Sequence, residues 1–263
     1  PAQEADFLHA RAAEGIADRL FDVSRRFPEA ALVHPGAPVW EETLRAHPSL
    51  SALHVAPMTA EEVLPLEVGR YDLVIGGLTL HWANDPVGML IQMRRALKPD
   101  GLLLIAMLGG QTLTELRVAL AEAEAAEEGG LSPRVSPMAE IRDLGALLQR
   151  AGLAMPVADS DAVTVTYADP LALMRDLRAM GETNALTARR RAGLRRATLA
   201  RAAAIYADAF PAEDQGRVRA TFEIVTLTGW APAPDQPQPK RPGSATARMA
   251  DALGAAEVKL PKF

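Results

Sequence analysis

Cysteine is absent from the 263 residues, which excludes disulfides, thiolate metal ligands and cysteine nucleophiles and points to a reducing compartment. Long apolar runs are absent as well. None approaches the roughly 18 residues needed to cross a bilayer, so no membrane span is expected. The opening residues PAQEADFLHARAAEG carry no basic stretch followed by a hydrophobic one, so no leader is expected there. Positive charge is not in surplus: 28 basic residues stand against 33 acidic ones, for a formal net charge of -5. Without a basic field to grip a phosphate backbone, nucleic acid is excluded as a main partner. His9, His34, His47, His54 and His81 follow no metal-ligand spacing, and no metal is expected. These absences together predict a soluble, cytoplasmic protein.

What is present alternates between short apolar runs and amphipathic stretches. Residues Asp6 to Arg25 carry apolar side chains at three- and four-residue spacing, which predicts a helix ended by Pro28. Ala30-Ala31-Leu32-Val33-His34 reads as a buried strand stopped by Pro35-Gly36-Ala37-Pro38, and VWEETLRAH as a short helix. Ser51–Val55 and Tyr71–Gly76 are the next strands. Asp85 and Pro86 then supply an N-cap and a first helical residue for VGMLIQMRRAL. That helix is expected to end in a turn at Lys98-Pro99-Asp100-Gly101, ahead of LLLIAML, a continuous apolar strand of the kind buried on both faces of a parallel sheet.

Strand and helix in alternation predict a doubly wound, mostly parallel α/β sheet covered on both faces. QTLTELRVALAEAEAAEE and MAEIRDLGALLQRAG continue as helices, and AVTVTYA and FEIVTLTGW add strands at the far edge. The domain reading is an N-terminal helix over 1–27 and an α/β domain over 28–263 with a helical insertion at about 170–210. The segment from Pro232 to Pro242 is Pro-rich and expected to be extended. Pro35 to Arg70 span only 36 residues, whereas two strand–helix units with their connections need on the order of 48. One such unit is expected to be missing.

The run YDLVIGGLTLHWANDPVGMLIQMRRALKPDGLLLIAMLGGQTLTELR resembles the second half of a class I S-adenosylmethionine (SAM) methyltransferase domain of the type 11-like kind. His81-Trp82 with Asn84-Asp85, and Gly110 with Thr112-Leu113 and Glu115-Leu116-Arg117, are similar to two related groups. One is the methyltransferase of biotin synthesis that acts on a malonyl carrier protein; the other is the mitochondrial complex I assembly-factor branch, whose enzyme hydroxylates an arginine of a complex I subunit. GGLSPRVSPMAEIRDLGALLQRAGL, LMRDLRAMGETN, TGW and RPGSAT follow the assembly-factor pattern in order. The resemblance implies a Rossmann-like fold, SAM as cofactor and a protein partner in a respiratory complex.

In that fold the first strand leads into an acidic residue and a G-x-G loop, because glycines let backbone N–H groups approach the ligand carboxylate. An acid after the second strand holds the ribose hydroxyls. Here Leu32 to Pro38 keep one glycine, and the two prolines remove two N–H donors. The candidate cofactor residues are Gly36, Ala37, Glu61 with Glu62 beside it, Gly77 and Leu78. For the two glutamates the competing reading is a solvated helix start. His81 and Trp82 are candidates for the substrate pocket, with His81 as a general base, or else for a packing corner. Glu115 and Arg117 read as a surface pair, Ser132-Pro133 and Ser136-Pro137 as a loop over the sheet's carboxyl edge that supplies the N-cap region of the next helix or else as a lid over a ligand cleft, and Gly181–Asn184 as either a polar turn or a cleft wall. Weak or absent SAM binding is expected. Two functions follow: a SAM-dependent enzyme acting on a protein, or a non-catalytic assembly or chaperone protein that does not bind SAM.

Overall fold

The computed structural model describes residues 6–214 and 216–237, with Ser244 and Gly254. Helix α1 (Phe7–Asp22) buries Leu8, Ala12, Ile16 and Leu20 on one face. After β1 (Phe27–His34) come α2 (Pro38–Arg45) and β2 (Leu50–Pro57). A connection without helix or strand, 58–70, then returns the chain to β3 (Tyr71–Gly77). One helix and one strand are therefore all that separates β1 from β3, as the short spacing predicts. A 3-10 turn, Leu80–Trp82, precedes α3 (Pro86–Ala96) and β4 (Leu97–Leu108). Helices α4 (Thr114–Glu128) and α5 (Ile141–Arg150) follow, and then β5 (Ala154–Tyr167), α6 (Pro170–Ala179), α7 (Arg196–Ala209) and β6 (Val218–Trp230).

Six strands form one sheet in the order β2-β1-β3-β4-β6-β5, the first four parallel and β6 antiparallel to both neighbours. This is the doubly wound, mostly parallel sheet expected. Successive strand residues point to opposite faces, and the core divides accordingly. Leu32, Ile75 and Leu104 pack with α1, α2, α4, α6 and α7, whereas Val33, Val74 and Leu103 pack with α3 and α5. Both faces are dry, which is why these strands read as unbroken apolar runs.

The chain runs outward from β1 to β2 and then crosses back to β3 on β1's other side. The order therefore reverses between β1 and β3, and a crevice opens at their carboxyl ends. Beside it Trp40 of α2 is fully buried, and its Nε1 donates to Nδ1 of His9 at 3.0 Å. The indole lies against Gly77. A Cβ at Gly77 would stand 2.7 Å from Trp40 Cε2, so glycine at the strand end is a packing requirement.

Several local expectations need correction. The predicted turn at Lys98–Gly101 is instead a bulge within β4, since Tyr71 pairs with Leu97 and Leu73 already with Leu102. Asp100 takes the left-handed conformation there (φ 60), and Arg25 clasps both its carbonyl and its carboxylate. Glu115 is buried rather than superficial, accepting from Thr221 N at 3.1 Å and Thr221 Oγ1 at 2.6 Å. Arg117 donates to the Thr112 carbonyl at 3.3 Å. Asp85 does cap α3, through Gly88 N at 2.8 Å, but α5 opens at Glu140 with no side-chain cap. Ser132, ahead of it, bonds the Glu124 carboxylate of α4 instead.

Ala233–Phe263 form a second unit. Its described part is a turn in which Gln236 N donates to Ala233 O at 3.3 Å and the Gln236 side chain accepts from Ala233 N at 3.1 Å. Of the Pro-rich stretch, Gln238 to Pro242 lie outside the described residues, as does most of RPGSAT.

Gly77→Ala is expected to cost about 2 kcal/mol of stability, because the indole cannot retreat from a fully packed site. Denaturant unfolding measures it; a loss below half that figure would mean that Trp40 has room to move.

Candidate functional site

The crevice is bounded by three loops. In the first, buried His34 turns Nδ1 toward Gly36 N, which donates to it at 3.1 Å. Its Nε2 stands 3.9 Å from Glu41 Oε1. Burial pushes His34 below the ordinary histidine range, against the pull of Glu41, so the ring is neutral at pH 7 and Nδ1 can accept. Gly36 occupies the left-handed region (φ 105). Pro35 and Pro38 have no N–H, and Trp40 N donates to Ala37 O at 3.2 Å. The N–H groups of Ala37 and Val39 are what this loop still offers a ligand.

The second loop follows β2. Glu62, itself left-handed (φ 54), accepts from Asn84 N at 2.6 Å, Asn84 Nδ2 at 2.9 Å and Asp85 N at 3.1 Å. These bonds, the one from Asn84 N first, hold its carboxyl below the usual carboxylate range. The side chain braces the start of α3. Glu61 is exposed beside it and lines no part of the crevice.

The third loop leaves β3 through Leu78, whose N–H donates to Ala106 O at 2.9 Å. The 3-10 turn then carries His81 and Trp82 to the crevice, where they meet Glu182. Helix α6 ends in a left-handed Gly181 (φ 82), with Glu182 N donating back to Leu177 O at 2.9 Å, the hydrogen-bond pattern of a glycine C-cap. That turn sets the Glu182 side chain, 10% exposed, against His81, 3% exposed. Leu108 N donates to His81 Nδ1 at 3.4 Å, which leaves the ring proton on Nε2. Nε2 stands 3.2 Å from Glu182 Oε1, and Trp82 Nε1 donates to the same oxygen at 3.4 Å. Oε2 has no partner among the described residues. His9 shares this neighbourhood; burial pushes it below the ordinary histidine range although Glu182 pulls the other way.

Two cavities meet at Trp82 and Glu182. The outer cleft, about 720 Å³, is lined among others by His9, Gly36, Ala37, Met58 and Glu62. The inner chamber, about 80 Å³, is walled by Leu108, Leu113, Leu116 and Phe222, with His81 and Arg134 at its edge. Of the predicted residues, Gly36, Ala37 and Trp82 face the outer cleft and His81 the inner chamber, whereas Glu61, Gly77 and Leu78 line neither. The polar turn at Gly181–Asn184 is also a cleft wall. Met180, partly buried against the core, faces the cleft too. Sequence reasoning overlooked His9, although its signal was there: a polar residue on the stripe of Ala12, Ala13 and Ile16. Among the described residues no cluster of three metal-ligating side chains occurs.

The roof of the inner chamber is the loop 131–138, held by Glu124 of α4. Ser132 N and Oγ donate to its carboxylate at 2.7 and 2.6 Å, and Arg134 Nη2 at 2.7 Å. Arg190 joins Glu124 at 3.5 Å and also pairs with Glu128. Burial alone would raise the Glu124 pKa, but the bonds from Ser132 and Arg134 outweigh it and hold the group at about 2.

The sequence matches the family model described as a methyltransferase domain over residues 34–105, the stretch from the end of β1 into β4 that builds the crevice. Over 264 residues it is 40% identical to the arginine-hydroxylase NDUFAF5, mitochondrial, of Danio rerio, covering 94% of this chain and 82% of that one. The chain belongs to the NDUFAF5 family. A more partial likeness links this NDUFAF5-family protein to the malonyl-[acyl-carrier protein] O-methyltransferase of Laribacter hongkongensis, 40% identical over 172 residues, or 65% of this chain and 55% of that one. Among solved structures the YcgJ protein of Bacillus subtilis superposes with a TM-score of 0.53 at 12% identity, over 85% of this chain and 99% of that one, a likeness of fold. The expected cytoplasmic location is overturned by the relatives' names: the Danio rerio, Mus musculus and Homo sapiens proteins are all designated mitochondrial. Cysteine usage separates reducing from oxidising compartments and cannot tell one reducing compartment from another.

Glu124 has a lower pKa folded than unfolded, so its stabilisation is complete above about pH 4.5 and drains away as pH falls toward 2. Glu124→Gln should cost about 3 kcal/mol at pH 7, since it strands Arg134, and should flatten the pH dependence of stability in that acidic window. Unfolding curves from pH 7 to pH 2.5 read both; an unchanged acid slope would remove Glu124 from this role.

Proposed function

We propose that this chain acts on a protein partner in the assembly of a respiratory complex, receiving an arginine side chain of that partner at Glu182, and that it binds SAM weakly or not at all. The observation that carries the reading is the Glu182 carboxylate. It is nine-tenths buried at the junction of two cavities, oriented through one oxygen by His81 and Trp82, and its other oxygen is without a partner among the described residues. A buried carboxylate is costly unless a cation reaches it. The relatives' designation as arginine hydroxylases supports a guanidinium as that cation. A guanidinium presents a flat fork of donors, suited to Oε2, and a face that stacks on an indole such as Trp82.

The donors that SAM requires are largely committed within the protein. The Gly36 N–H is bonded to His34, Pro35 and Pro38 have none, and Glu62 is engaged by three donors of Asn84 and Asp85 at the head of α3. Each lost charge-assisted contact is worth about 1.5 to 3 kcal/mol, and two or three losses move a micromolar site into the millimolar range. The residues present do not fit the cofactor well. A SAM-dependent enzyme is the second reading, favoured by the size of the outer cleft, about 720 Å³.

Calorimetry on the full chain separates the two. A short capped arginine peptide should bind at least about tenfold more tightly than its citrulline counterpart, and Glu182→Gln should erase that preference. Equal binding of both peptides would overturn the guanidinium reading. SAM should bind no more tightly than about 1 mM; a low-micromolar constant would restore the enzymatic one.

A further inference from the structure

The inner chamber has a second mouth. Its walls Leu116, Leu177 and Arg134 also wall a groove of about 270 Å³. The groove floor is apolar, with Leu120, Met174 and Leu194, and Arg178, Arg189 and Arg190 stand at its rim. These cations are not equivalent. Arg134 and Arg190 are neutralised by Glu124 and Glu128. Arg178 makes no ion pair or side-chain hydrogen bond among the described residues, and Arg189 uses only Nη1, on the carbonyls of Ala185 at 3.4 Å and Leu186 at 2.8 Å. Two guanidinium groups without counter-charge therefore flank an apolar groove, in a chain whose net charge is -5.

We propose that this groove binds an aliphatic anion, its chain along Leu120, Met174 and Leu194 toward the inner chamber and its carboxylate or phosphate on Arg178 and Arg189. The polarity of entry follows from Glu182, which lies where groove and chamber meet. Its carboxylate repels an anionic head, so the head stays at the rim and the tail enters. An arginine fork accepts either head group in a bidentate manner. The chain adds about 0.8 kcal/mol for each methylene buried. The proposal goes beyond the guanidinium reading and does not depend on what Glu182 receives.

The full chain is titrated calorimetrically with monomeric decanoate, decyl phosphate and neutral methyl decanoate, and by co-sedimentation with phosphatidylcholine vesicles with and without phosphatidylglycerol. Both anions should bind at least about tenfold more tightly than the ester, and the R178Q/R189Q double variant, in two exposed positions, should lose about tenfold for each with an unchanged melting curve. Tighter binding of decanoate supports the proposal with a free acyl carboxylate as the source, and tighter binding of decyl phosphate supports it with a lipid phosphate. The ester binding as well as the acid, the double variant binding like the wild type, or binding to anionic vesicles with none of the monomers would each overturn it.

Discussion

The indole of Trp40 against Gly77 is the contact on which the architecture of the crevice rests. It joins α2 to the end of β3 and, through its hydrogen bond to His9, brings α1 into the same corner. A sheet whose order reverses between β1 and β3 opens a crevice by topology alone. The open volume lies between Gly36, Glu62 and the 3-10 turn.

Around that crevice, polar groups that a nucleoside-binding fold turns toward its ligand are turned inward. His34 takes the Gly36 amide, and Glu62 takes three donors at the head of α3. Both arrangements stabilise loops that a missing strand–helix unit leaves unsupported, since the connection 58–70 has no helix or strand of its own. The compensation has a functional side. Glu182, Arg178 and Arg189 keep unused hydrogen-bonding capacity among the described residues, and all three lie toward the α6 end of the cavity system rather than at the first loop.

Much of the fold was legible because its strands are buried on both faces. Leu102–Leu108 cannot be mistaken for an amphipathic strand, and Asp85-Pro86 announces a helix start by its capping chemistry. The shortfall of chain before Tyr71 was enough to predict the lost unit. Less legible were features whose partners lie far along the chain. Glu115 has the local setting of a surface residue on a helix, yet its carboxylate is satisfied by Thr221, 106 residues away. The Lys98–Gly101 segment has turn composition, yet pairing with β3 and the clasp of Arg25 draw it into β4 as a bulge.

By itself the amino-acid order determined the sheet, the family and the loss of N–H donors at Pro35 and Pro38, because hydrophobic periodicity, motif order and the chemistry of proline are properties of neighbouring residues. Only the tertiary structure decided which acid meets which cavity. Glu61 and Glu62 are adjacent in the chain and point to different surroundings, and Glu182 reaches His81 across a separation of 101 residues. Whether a carboxylate is a brace, a solvated charge or a receptor depends on the donors that folding brings to it, and spacing along the chain does not encode them.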